Sequence, residues 1–92
     1  MSKLRRFARN QTCTVRKPGV CNSNPETTVL AHGHGAGMGI KLDDHIACHA
    51  CSACHDWLDR VASKDDYTTT FFPAMRETLN RLHEAGILGD RN

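Results

Sequence analysis

Apolar positions along the chain fall into short patterned stretches separated by polar segments bearing glycine and proline. Leu4, Phe7 and Ala8 share one face at helical spacing, which predicts a short helix over 2–10 with Ser2 as its N-cap. Thr12-Cys13-Thr14-Val15-Arg16 predicts a short strand, and Pro18-Gly19 a turn. Asn22 to Glu26 reads as a polar loop, and the β-rich run from Thr27 to His32 as a second strand. Gly33, Gly35, Gly37 and Gly39 then form a flexible hairpin loop. It is no phosphate cradle, because no dinucleotide-type strand–glycine–helix unit follows. An extended segment at about Asp44–Ala50 leads to Cys51-x-x-Cys54, where a helix starts that runs to Arg60 or Val61. Ser63 to Tyr67 reads as a linker. Phe72, Met75, Leu79 and Leu82 recur as the apolar stripe of a final helix at about 70–88. Pro73 suits its first turn and Gly86 its C-terminal cap.

These elements belong to a small α+β domain. With 92 residues, the chain reads as a single domain over 1–92, which excludes a barrel, a doubly wound sheet or a multidomain enzyme. Hydrophobic residues are 39% and aromatics 5%, so the core is thin and needs a staple. Five cysteines and six histidines make a metal the first candidate for it. No apolar run approaches the roughly 20 residues that span a bilayer. No apolar stretch follows the first basic residues, so no signal peptide is read there and a cytoplasmic location is expected. In that compartment clustered cysteines hold metals more often than they pair as disulfides.

Cys51-x-x-Cys54 is the strongest local signal. Two thiolates two residues apart can grip one zinc ion on a tight turn, and a closed structural site needs two more ligands. Cys13 and Cys21 are the natural second pair, brought together by the Lys17-Pro18-Gly19 turn. Cys48 is left over as a buried thiol, with Cys48 and His49 as substitute ligands. Cys51-Ser52-Ala53-Cys54-His55 also fits the c-type haem attachment pattern, which requires export. A redox dithiol would need the strand–helix context of a thioredoxin-type fold, which is not read here.

A second constellation carries candidate chemistry. His32 ends a predicted strand, and His55 opens the helix after the cysteine pair. Asp59, four residues on, projects from the same face of that helix and can share a divalent ion with His55. A base and a metal within one small unit suit phosphodiester hydrolysis. Trp57 on the same helix reads as core or as a lid on the site rather than a base-stacking platform. Charge points to the same partner class. The first 20 residues carry Lys3, Arg5, Arg6, Arg9, Arg16 and Lys17 with no acidic side chain, while the rest of the chain holds all ten acidic residues. Arg5, Arg6, Arg9, Arg16 and Lys17 are therefore candidates for DNA-phosphate contacts that are modest, salt-sensitive and largely independent of sequence.

Leu30-Ala31-His32, then Gly37 to Asp44, then Cys51-Ser52-Ala53-Cys54-His55-Asp56 resemble the HNH, or ββα-metal finger, nucleases. With Cys13 to Asn22 and Asn24-Pro25-Glu26-Thr27, the resemblance is closest to the small prophage proteins of the YbcO type. It covers about residues 3–62. It implies a ββα-metal, treble-clef-like finger with a core at about 12–62, flanked by N- and C-terminal helices. It implies a structural zinc on Cys13, Cys21, Cys51 and Cys54, and His32 as the general base. His55 and Asp59 would hold a catalytic ion, magnesium or manganese in most members and zinc or nickel in some. Two family positions differ here. Ala31 stands where many members place a metal ligand, with Asp43, Asp44 and His34 as candidates to supply it. The middle asparagine is absent, with His45 or Asp44 nearest its place. The rival expectation is a non-catalytic zinc-finger module that binds DNA or a phage or host protein.

Overall fold

The computed structural model describes residues 3–33 and 46–87. Helix α1 spans Lys3–Ala8, and the chain leaves it through Asn10, whose φ of 66° is a left-handed conformation that asparagine tolerates. Strands β1 (Val29–His32) and β2 (Ala47–Ala50) pair antiparallel in the register Val29↔Ala50, Leu30↔His49, Ala31↔Cys48, His32↔Ala47. The Gly33 amide extends the ladder by donating to the Ile46 carbonyl at 2.7 Å. The position is close-packed, since a Cβ would stand 3.1 Å from Phe71 Cζ and 3.2 Å from that carbonyl oxygen.

Alternation along paired strands divides the sheet into two faces. Ala31, Cys48 and Ala50 join the main core with Cys13, Trp57, Leu58, Phe71 and Ala74. Leu30 and Ala47 lie on the other face, against Ala8 and Leu4 of α1. His32 and His49 share this second face by register, and the Phe7 ring lies 5.8 Å from the His49 ring.

Helix α2 spans Ser52–Arg60 and buries Cys54, Trp57 and Leu58. Its N-cap is Cys51, whose Sγ accepts the Cys54 amide at 3.4 Å. Helix α3 spans Lys64–Glu84, so the final helix starts before the predicted residue 70 and takes in most of the expected linker. Ser63 caps it by accepting the Asp66 amide at 3.1 Å, and Asp65 and Asp66 lie in the positive first turn. Pro73 therefore sits in mid-helix rather than in the first turn. The buried face also differs from the expected stripe: it is Phe71, Ala74, Thr78 and Leu82, while Phe72 is 56% exposed. Gly86, at φ 73°, ends the helix as predicted. Its amide bonds the His83 carbonyl, and the Ile87 amide reaches back to Leu82 at 3.0 Å.

Residues 12–16 do not form the expected strand. Thr14 instead makes one crossing over the free edge of β2, where its amide and hydroxyl donate to the His49 carbonyl at 2.8 and 2.7 Å. Arg16, at φ 49°, then turns the chain away. The His49 amide donates to Thr78 Oγ1 of α3 at 3.0 Å. Two threonines thus satisfy an edge that a third strand would otherwise cover.

Candidate functional site

Cys13 arrives from the coil after α1, Cys21 from the far side of the Pro18–Gly19 turn, and Cys51 and Cys54 from the start of α2. Their four sulfurs lie within 4.8 Å of one another, and Cys51 Sγ is 3.9 Å from Cys21 Sγ. The cysteines are free thiols. A tetrahedral zinc with Zn–S bonds of about 2.3 Å would set its sulfurs about 3.8 Å apart, so the donor set fits. The turn that joins the first pair is held by the Val20 and Cys21 amides, both donating to the Lys17 carbonyl. Asn22 ties it to α2, with Nδ2 donating to Thr27 Oγ1 at 3.2 Å and to Ser52 Oγ at 3.1 Å.

Backbone amides point at these sulfurs. Arg16 N–H reaches Cys13 Sγ at 3.5 Å, and the amides of Ser23, Asn22 with Cys54, and Lys17 serve Cys21, Cys51 and Cys54. Burial pushes the Cys21 and Cys54 thiols up, and neighbouring thiols add to it. At Cys51 burial acts the same way but is outweighed by the Asn22 and Cys54 amides, which bring it down to about 7. A cation among the four sulfurs would favour the thiolate at every one of them. The four cysteines could therefore hold a structural metal such as zinc.

The expected substitute ligands lie elsewhere. Cys48 is fully buried in β2, and burial pushes its thiol up to about 12. His49 is fully buried on the α1 face, with Nδ1 3.1 Å from Arg81 Nη1. Burial first, then the Arg81 charge, pull its pKa down to about 4.

On α2, the helix turn brings His55 Nε2 to 3.3 Å from Asp59 Oδ2, with the two side chains 37% and 28% exposed. Trp57, between them in sequence, is core as expected, and Lys17 Nζ sits 4.8 Å from its ring centroid. His32 is half-buried at the end of β1 and lines a cleft of about 430 Å³ with Arg5, Arg9, Thr28, Val29 and Leu30. Strand alternation gives Ala31, not His32, to the sheet face on which α2 packs. Asp43, Asp44, His34, His45 and the glycine loop after Gly33 lie outside the described residues.

The basic N-terminal residues divide into two groups. Arg5 and Arg9 line the His32 cleft, and Arg6 is exposed on α1. Arg16 is committed instead to Glu77 through two hydrogen bonds, one of 2.9 Å, and Lys17 lies over Trp57. The Arg16–Glu77 pairing spans 61 positions and leaves no local pattern by which it could be foreseen.

Fold and cluster together define a small α+β protein with, among the described residues, a two-stranded sheet, three α-helices and a cysteine centre able to take a metal. Residues 2–87 match the family described as "Putative nuclease YbcO", and the chain belongs to that family. It is 57% identical over 63 residues to a protein of that name from Escherichia coli (strain K12), and equally to one from Enterobacteria phage 82. Each alignment covers 65% of this chain and 66% of the relative, just under two thirds of the relatives' length. A solved structure, "Structure of a putative bacteriophage protein from Escherichia coli str. K-12 substr. MG1655", matches 91% of this chain and 100% of its own. It does so at 40% identity and a TM-score of 0.76. No helix among the described residues is long and apolar enough to cross a membrane.

Proposed function

We propose that the chain is a phage or prophage endonuclease of the HNH, ββα-metal type that hydrolyses DNA phosphodiester bonds. The observation that carries this reading is the His55–Asp59 pair, 3.3 Å apart on the helix whose first turn holds Cys54. Adjacent ligands of a hard divalent ion at about 2.1 Å stand about 3 Å apart, so the pair suits magnesium or manganese, with zinc or nickel as alternatives. The chain order β1, β2, α2, with His32 closing β1, supports the same reading.

When bound by His55 and Asp59, the ion supplies neutralisation of charge on the phosphate and the departing oxygen. For this chemistry His32, on the sheet face away from α2, has to reach round the end of β1 to take a proton from water as the water oxygen bonds to phosphorus and the ester P–O bond breaks. Zinc on Cys13, Cys21, Cys51 and Cys54 has a structural role. The DNA is held through its backbone phosphates, without reading of sequence.

Nicking of supercoiled plasmid with magnesium or manganese tests the reading. Wild type should nick, and His32→Ala, His55→Ala and Asp59→Ala should lose most activity while keeping their zinc. Equal nicking by wild type and His32→Ala would discard the assigned base. One observation favours a second reading, a non-catalytic zinc module that binds DNA or a protein: Ala31, 2% exposed on the α2 side of the sheet, cannot coordinate an ion. That reading predicts zinc binding and no nicking with any divalent ion.

A further inference from the structure

We propose that the cleft between α2 and α3 receives an unpaired base beside the scissile phosphate, so that the substrate is single-stranded or locally unpaired DNA. The inference rests on the nuclease reading above and names its substrate class. The cleft holds about 400 Å³, the size of a small-ligand pocket, with Leu58 and Asp59 on one wall and Lys64, Tyr67, Thr68 and Phe72 of α3 on the other. Asp59 also lies 3.3 Å from His55 in the proposed ion site, so whatever enters the cleft lies next to a phosphate on that ion. The aromatic residues continue from the cleft to the end of β1. Tyr67 lies flat on Phe71, with ring centroids 5.2 Å apart and planes at 8°, and Phe71 lies against Gly33, the residue after His32. The cleft therefore adjoins both an ion ligand and the strand end that carries His32.

Phe72 stands outside that stack. Its ring is at 72° to Phe71, with centroids 6.1 Å apart, and the residue is 56% exposed among those that line the cleft. An aromatic face stacks on any base that has left the double helix, whereas in duplex DNA both faces of a base are covered by its neighbours. Lys64, exposed at the start of α3, adds one cation for a flanking phosphate. The wall offers little that reads a base edge. Ser63 Oγ accepts the Asp66 amide at 3.1 Å, and Thr68 Oγ1 donates to the Lys64 carbonyl at 3.0 Å. Stacking without edge contacts tolerates every base, so the cleft selects unpaired DNA and not a sequence.

The test is fluorescence anisotropy with the zinc-loaded protein, in buffer free of magnesium and manganese so that cleavage plays no part. The labelled probes, of equal length, are oligothymidylate, its duplex with oligoadenylate, and an abasic strand bearing the same phosphates. Wild type should bind oligothymidylate about tenfold more tightly than either of the others, the effect of one base–aromatic stack. Phe72→Ala and Phe72→Leu should lose that preference and bind oligothymidylate and the abasic strand alike, while Phe72→Trp should keep it. The slope of log K against log salt should be unchanged in the Phe72 variants and should fall by about 0.7 in Lys64→Gln, one phosphate contact on a single strand. No preference for oligothymidylate in wild type, or an undiminished one in Phe72→Ala and Phe72→Leu, would overturn the proposal. So would a wild-type dimer that Phe72→Ala splits into monomers, which would give the cleft to a second copy of the chain. If wild type nicks plasmid yet shows no preference for the unpaired strand, the cleft assignment fails and the nuclease reading stands. A Phe72-dependent preference with no nicking under any divalent ion keeps the base-binding cleft and removes the hydrolase.

Discussion

Replacing Thr78 with valine removes one oxygen from the centre of the molecule and keeps the shape of the side chain. In the wild type Thr78 is fully buried, accepts the His49 amide at 3.0 Å and donates to the Ala74 carbonyl at 2.9 Å. The Ala74 carbonyl keeps its helical partner in the variant. Thr14 Oγ1, 3.4 Å away, keeps its stronger bond to the His49 carbonyl at 2.7 Å. The one group stranded is the His49 amide, on a strand edge where the Thr14 backbone meets only the His49 carbonyl. A buried donor left without an acceptor costs about 1–3 kcal/mol, and the added methyl recovers part of it, so a net loss of about 1–2 kcal/mol is expected. For a domain of this size that lowers Tm by about 5–10 °C. Urea and thermal unfolding at fixed excess zinc measure the loss, and amide exchange at His49 locates it. Thr78→Val with an unchanged urea midpoint and an equally protected His49 amide would refute the edge-latch argument. The Thr14→Val/Thr78→Val double variant should be non-additive, because both hydroxyls converge on one residue.

Three further outcomes are expected. A strong chelator should unfold the protein, read by circular dichroism, with zinc restoring the fold, because metal-binding free energy is folding free energy in domains this small. Gly33→Ala should lose about 1–3 kcal/mol by urea unfolding, since its Cβ would meet Phe71 at 3.1 Å and a backbone oxygen at 3.2 Å. Acid should weaken the fold through His49. Its folded pKa of about 4 lies below the unfolded value of 6.5, so its contribution is complete above about pH 6.5 and is lost as pH falls toward 4. The total is about 3 kcal/mol, and stability measured between pH 4 and 7 should fall less steeply in His49→Asn than in wild type.

The cysteine centre was legible because its chemistry is local in sequence. Cys51 and Cys54 are set by one helical turn, and Cys13 and Cys21 by the turn at Pro18–Gly19. The His55–Asp59 pairing was legible for the same reason, a four-residue step on a helix. What escaped depended on long-range contacts or on polar core residues. Thr78 hides from any count of apolar positions, yet it occupies the core face of α3 because β2 needs an acceptor there. Residues 12–16 have strand-like composition, but α3 already supplies one of the two bonds that the β2 edge requires, so they make a single crossing. The start of α3 is marked in the sequence by Ser63-x-x-Asp66, a capping pattern that competes with Pro73, whose preference for a first turn points to a later start. The face on which His32 lies follows from the register Leu30↔His49 and Ala31↔Cys48, and pairing register is not readable from one strand alone.

The placement of the thiolates fixes how the two metal sites of the proposed nuclease depend on each other. Cys51 caps α2 and Cys54 lies in its first turn, where amide dipoles favour negative charge. His55 follows directly, and Asp59 is one turn further. A metal on the four sulfurs therefore anchors the helix end from which the His55–Asp59 pair projects. The dependence runs one way. Thiolates prefer zinc, whereas an imidazole and a carboxylate accept a harder and more weakly bound ion. Withdrawing the weakly held ion should stop nicking without changing the fold, and magnesium or manganese alone should restore it. Withdrawing zinc should abolish both, and magnesium should restore neither, because the helix that presents His55 and Asp59 has lost its anchor. If magnesium revived nicking in zinc-stripped protein, the cysteine centre would be dispensable for presenting the pair, and the link drawn between the two sites would fail.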